Sequence, residues 1–177
     1  MWANPFLFTP IKSAEGIRLL ILIVNTTVVM PGILLAMFKG LKIVDDLQLT
    51  ARRQRALPLL AMMIFLFPLW FTVKNQLHIT PLFSNMIWGT FLIVMVAYFV
   101  NIFFFKISLH ALGMGGMVAI ALFASSISTG SILYPFIAIL LIAGLVGSVR
   151  LALKAHQPIE IYYGYLLGFV SMWFALS

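Results

Sequence analysis

Three short stretches hold residue types suited to chemistry. The first is Val149-Arg150-Leu151-Ala152-Leu153-Lys154-Ala155-His156-Gln157-Pro158-Ile159-Glu160, in which five residues separate Arg from His and three separate His from the acid. The second is Ile107-Ser108-Leu109-His110 and the third is Arg52-Arg53-Gln54-Arg55-Ala56-Leu57-Pro58. Imidazole is a nucleophile at neutral pH and a general acid once protonated. A transferring phosphoryl group spreads negative charge over its equatorial oxygens, so positioned cations lower the barrier. These residue types therefore suit phosphoryl chemistry. The chain has three histidines, and two lie in these stretches; His78 matches no motif and is assigned no role.

Each residue also has a plain structural reading. Arg150 and Lys154 could anchor a helix end by snorkelling to headgroups. Glu160 could stabilise the dipole of a helix begun by Pro158. Ser108 suits an N-cap, His110 a polar helix end, and the basic Arg52–Arg55 run an orientation or headgroup signal. What favours chemistry is their joint occurrence, because ionisable residues near a membrane are costly and tend to be functional.

The elements that must position these residues are membrane helices. Of the 177 residues, 63% are hydrophobic and only 8% are charged, against about 25% charged in soluble domains. A soluble fold of this size could not hide so much apolar surface. Six apolar runs, near residues 17–38, 56–73, 85–105, 109–125, 131–149 and 158–175, each approach the roughly 20 residues that cross the hydrocarbon core. The expected architecture is all-α, a single domain forming an integral membrane bundle of about six transmembrane helices. Residues 1–16 read as a short interfacial segment, with Trp2, Phe6 and Phe8 among Pro5 and Pro10. Pro31, Pro68 and Pro135 are expected to kink their helices. Gly113, Gly115, Gly116, Gly164 and Gly168 are expected to permit close helix packing.

The connections alternate in character. Those after the second and fourth runs carry little charge. Those after the first, third and fifth hold Lys39, Lys42, Asp45, Asp46, Arg52, Arg53, Arg55, Lys106, Arg150, Lys154, His156 and Glu160 in or next to them. With six spans, these three connections emerge on one membrane face. Three helices start there, near Pro58, Ser108 and Pro158, and their free amides and positive dipole ends suit an anion. The net charge of +7 accordingly points to anionic headgroups or an anionic substrate rather than to nucleic acid. The absence of cysteine excludes disulfides, thiol nucleophiles and Cys-ligated metal.

In this order the three stretches resemble the signature of the type-2 phosphatidic acid phosphatase superfamily, the integral-membrane lipid phosphate phosphatases. The family's third motif is Ser-Arg, five residues, His, three residues, Asp. Arg150 and His156 match it, Val149 stands for the Ser and Glu160 for the Asp. In the second motif, Pro-Ser-Gly-His, Ser108 and His110 match while Ile107 and Leu109 do not. The first motif, Lys, six residues, Arg-Pro, is degraded: Arg55 lies near Pro58, Gln48 stands where the Lys would be, and Arg52 is the replacement cation.

The resemblance implies a phosphohydrolase that uses no metal or other cofactor. His156 would attack phosphorus and become a phosphohistidine, and Glu160 would fix its tautomer. His110 would protonate the leaving oxygen and then activate water. Arg150, Arg55 and Arg52 would neutralise the phosphoryl oxygens, with Lys106 as a further phosphate ligand and Ser108 and nearby helix amides completing the cradle. The implied partners are a phosphorylated lipid substrate and the surrounding membrane lipids. The alternatives are a non-catalytic lipid-phosphate binder of the same fold, and a small transporter or assembly subunit. A transporter should show ionisable or unwound elements at mid-membrane; beyond their first three residues, the amide and charged side chains in the runs are Asn25 and Asn101, with the proline kinks. The resemblance places the protein in a bacterial inner membrane with the motif face periplasmic. A positive-inside count favours the opposite: eight cations lie on the motif face and Lys12, Arg18 and Lys74 on the other. Setting aside Arg52, Arg55, Lys106 and Arg150 as ligands leaves four against three.

Overall fold

A computed structural model describes residues 13–44, 52–76, 81–127 and 133–177. The expected interfacial segment falls mostly outside these residues, as do Asp45, Asp46 and His78, while Ser13–Gly16 already belong to the first helix. The helices are α1 (Ser13–Val24), α2 (Met30–Gly40), α3 (Ala56–Gln76), α4 (Pro81–Phe103), α5 (Leu109–Ile127), α6 (Leu133–Ala152) and α7 (Pro158–Leu176). A π-helical turn, Asn25–Val29, joins α1 to α2, so together they make one span. Among the described residues, six spans are thus long and apolar enough to cross a membrane. The chain is an all-α, multi-pass membrane bundle.

Each proline's effect follows from its position. Pro31 lacks an N–H and its ring crowds the carbonyl four residues earlier, next to the π-helical turn. There the Met30 amide bonds Asn25 O, and Thr27 Oγ1 donates to Ile23 O at 2.7 Å. Pro68 lies in the middle of α3. Pro135, expected to kink a helix, instead sits in the first turn of α6. An amide there has no partner to lose, so proline is accommodated without a break.

Lipid gives apolar helices little reason to associate, so close backbone approach must supply the attraction. The α5–α7 pair provides it. Gly164 faces Ala111 and Ser108 O, and Gly168 faces Leu112 O. From the other side, Gly115 faces the Tyr165 carbonyl. A side chain at any of these positions would meet backbone. Gly113 differs from its expected role: it faces open space. Helix α4 packs on both α3 and α7, and α6 packs on α5. The outlying first span has only 6% of its most apolar window buried inside the protein. Between α3 and α4 the rings of Phe67, Trp70, Trp88 and Phe91 form a ladder, with Trp70 and Trp88 centroids 4.7 Å apart. Hydroxyls inside the spans, such as Thr90 and Ser148, donate to carbonyls one turn earlier, as a medium without water requires.

Candidate active site

The close α5–α7 crossing ends in a tie between two helix starts. The Ser108 amide donates to Glu160 O at 3.3 Å. Ser108 Oγ accepts from the Ala111 amide at 3.4 Å, the N-cap geometry. Pro158 opens α7 with a φ already suited to the helix and no amide to satisfy. Glu160 then does two jobs. Its Oε2 accepts the Gln157 amide at 3.3 Å, closing the N-terminal turn, and lies 2.6 Å from His156 Nδ1. A carboxylate only accepts, so the neutral imidazole must donate from Nδ1. That leaves Nε2 with its lone pair. The structural and chemical readings of Glu160 coexist in one carboxylate.

The approach to His156 is shaped by how α6 ends. Lys154 has φ 50°, the left-handed region. Its amide bonds Leu151 O, and the Ala155 amide bonds Arg150 O, which is a Schellman ending. Ala155 O in turn accepts Lys106 Nζ at 3.1 Å, tying the 153–157 turn to the segment before α5. The His156 and Glu160 side chains are only 6% and 15% exposed.

Cations surround this pair. Arg55 is buried, 6% exposed, and donates Nη1 to Ile107 O at 2.8 Å. Arg150 Nη2 lies 2.5 Å from the ring nitrogens of His110, which is exposed at the start of α5. The fields of Arg55 and Lys106 reach His156, and those of Arg55 and Arg150 reach His110. Six expected site residues, Arg55, Lys106, His110, Arg150, His156 and Glu160, therefore share one end of the bundle and one electrostatic environment.

Two expected phosphate ligands lie elsewhere. Ser108 is fully buried beneath the cluster, and its hydroxyl is turned to the helix amide. It positions α5 and does not reach the site. Arg52 donates through Nε and Nη2 to the carbonyls of Asn101 and Ile102, at 2.5 and 2.7 Å, near the C-terminus of α4. It lines a separate cavity there with Arg53. A basic run cannot tell an arginine that binds a ligand from one that satisfies orphan helix carbonyls. Sequence reasoning missed the backbone ligands Ile107 O and Ala155 O, which hold Arg55 and Lys106; no residue-type signal marks them. It also missed the Tyr165 hydroxyl, which donates to Ala143 O across to α6.

Burial pushes the His156 pKa below the ordinary imidazole value near 6.5; the Glu160 hydrogen bond opposes this, and Lys106 and Arg55 reinforce it. Burial likewise lowers Lys106, Arg55 adds to that, and Glu160 opposes. A lowered imidazole pKa keeps the neutral form dominant at pH 7 and loses it only as pH falls through the lowered value. If His156 is the nucleophile, the acid limb of kcat/KM is therefore expected below pH 6.5, and Lys106→Met should move it upward by removing a repelling charge. A pH–rate profile in which Lys106→Met leaves the limb in place, or moves it down, would contradict the assignment.

No protein-family model, curated protein or solved structure matches this chain.

Proposed function

We propose that the protein is a membrane phosphohydrolase that removes phosphate from a lipid phosphate or diphosphate through a phosphohistidine on His156. The observation that carries this reading is the His156–Glu160 pair, 2.6 Å apart, in the fields of Arg55 and Lys106, with Arg150 against His110 at the same end of the bundle. An imidazole with one nitrogen held by a carboxylate presents the other as a nucleophile. Nε2 attacks phosphorus, the ester bond to the leaving lipid oxygen breaks, and His110 protonates that oxygen. Water, deprotonated by His110, then displaces the phosphoryl group from His156. In the resting geometry His110 accepts from Arg150 and so holds a lone pair there. An arriving phosphate monoanion takes that guanidinium and passes its own proton to the freed nitrogen, so His110 meets the leaving oxygen as the imidazolium. Arg150 thus changes partner as substrate enters. The leaving lipid keeps its tails in the bilayer, and the cluster lies at the ends of spans, the depth at which such a headgroup sits.

The test is phosphate release from a panel of lipid phosphates by purified protein with chelator present. Turnover that persists in chelator and is blocked by vanadate supports the reading. A chain that binds these lipids but never releases phosphate would instead be a lipid-phosphate binder of the same fold.

On the resemblance to periplasm-facing bacterial phosphatases, we place the protein in a bacterial inner membrane with the site facing the periplasm. Lys154 is exposed in the 153–157 turn and the chain has no cysteine. Lys154→Cys should therefore react with an impermeant thiol reagent from the periplasmic side; protection there, with labelling only after lysis, would reverse the orientation.

A further inference from the structure

Asn25 takes no part in the His156 cluster. It opens the π-helical turn of the first span, nine residues after Gly16. At 1.5 Å per residue that is about 14 Å in, near the middle of a hydrocarbon core about 30 Å thick. π-Helical turns inside helices gather at functional sites, and a polar side chain at this depth is costly without a use. A cavity of about 250 Å³ separates this turn from α3. Leu22, Asn25 and Thr26 line it from the first span, at the spacing of one helix face. Ile64, Pro68 and Thr72 line it from α3, each one turn from the next. The two lining faces thus turn their side chains toward the gap. Thr27 donates to its own helix, but among the described residues the side chains of Asn25, Thr26 and Thr72 make no hydrogen bond. All three residues are half-buried. Pro68 has no amide to give Ile64 O, the carbonyl one turn earlier. The cavity therefore gathers a carboxamide, two hydroxyls and a carbonyl without its helical donor, in a medium that holds no water to satisfy them.

We propose that this cavity binds the uncharged, hydroxyl-bearing head of a diacylglycerol-type lipid alcohol. The ligand hydroxyl donates to Ile64 O and accepts from Asn25 Nδ2, while Thr26 and Thr72 donate to the ester carbonyls beside it. A ligand with acceptors alone, such as a quinone, would leave Ile64 O unmet. Among the described residues no charged side chain lines the cavity, so a phosphorylated head has no counter-charge here. An uncharged head can leave the interface for this depth, whereas a charged one pays heavily to do so. The volume is several times the roughly 30 Å³ share of one water, so the occupant is a molecule rather than an ion. The other walls are apolar, and the first span has only 6% of its most apolar window buried inside the protein, so lipid reaches the gap from the side. Lipid alcohols are also the class that lipid phosphate hydrolysis releases, but the site rests on its own groups and stands whether or not the His156 cluster turns over.

The test uses full-length protein in detergent, titrated with a diacylglycerol that carries a diazirine near its glycerol end, then irradiated and digested. Label should saturate on the peptides holding residues 22–30 and 64–72, equally in wild type and His156→Ala. Unlabelled diacylglycerol should compete for it, and the 3-deoxy analogue, in which hydrogen replaces the hydroxyl, should not. Asn25→Leu and Thr72→Val should each need roughly fivefold more lipid for half-saturation, the scale of one neutral hydrogen bond. Should Asn25→Leu disturb the π-helical turn and with it the fold, the near-isosteric Thr72→Val on the other wall carries the comparison. Equal competition by the deoxy analogue, unchanged half-saturation in both variants, or label spread evenly over the lipid-facing helices overturns the site. Loss of label in His156→Ala would place the lipid at the His156 cluster and overturn it too. A dimer that Asn25→Leu converts to monomer would make the gap a helix interface between copies, and the lipid assignment would fall.

Discussion

Replacing His156 with alanine is expected to lower phosphate release by at least about 10⁴-fold, because a covalent route without its nucleophile has no substitute step. Glu160→Gln is the sharper companion. Glutamine can still serve the N-terminal turn of α7, since the capping box accepts either residue. Glu160→Gln should therefore fold as wild type does. What it loses is the charge that holds His156 Nδ1–H and stabilises the imidazolium, an effect on the order of 10²- to 10⁴-fold in kcat. The contrast separates the two roles that one carboxylate carries at 2.6 and 3.3 Å. If Glu160→Gln loses thermal stability and keeps its turnover, the carboxylate is a cap and the catalytic reading of Glu160 fails.

The second large effect lies in the membrane, away from the charged cluster. Gly168→Leu should cost about 3 kcal/mol, the upper range for overpacking, because the new side chain would meet the backbone of Leu112. Activity should fall with stability. His110 is carried by α5 and Glu160, which holds His156, by α7, so forcing those helices apart moves His110 away from the carboxylate that positions His156. Gly113→Leu is the control: nothing lies within 4 Å of that position, and the change should be within about 0.5 kcal/mol of wild type. Thermal midpoints in detergent check both. Equal midpoints for the two variants would mean that the α5–α7 crossing does not hold the bundle together.

This contrast also marks what could be read from the chain. Glycine content alone announces close packing, but which face of a helix meets a neighbour depends on the partner. Gly115, Gly164 and Gly168 therefore met the expectation and Gly113 did not. The six spans were legible because lipid imposes a length and polarity that few other structures share. The convergence of the first, third and fifth connections followed from counting spans. Pro135 fell one turn away from where it would kink a helix, a shift that sequence-derived boundaries do not resolve. His156 and Glu160 were legible because four residues along a helix start place them side by side. Ser108 and Arg52 were not, because each had two good uses, and burial and the orphan carbonyls of α4 decided between them.

One experiment reaches the central claim most directly. Protein mixed with a radiolabelled lipid phosphate, quenched within one turnover and digested, should yield an acid-labile phosphoryl adduct on the peptide that contains His156. With a nitrophenyl phosphate, whose leaving group needs no general acid, the adduct should accumulate in His110→Ala, which then slows only the water step. Label on any other residue, or phosphate release with no labelled protein at any time, would show that His156 is not the group that takes the phosphate.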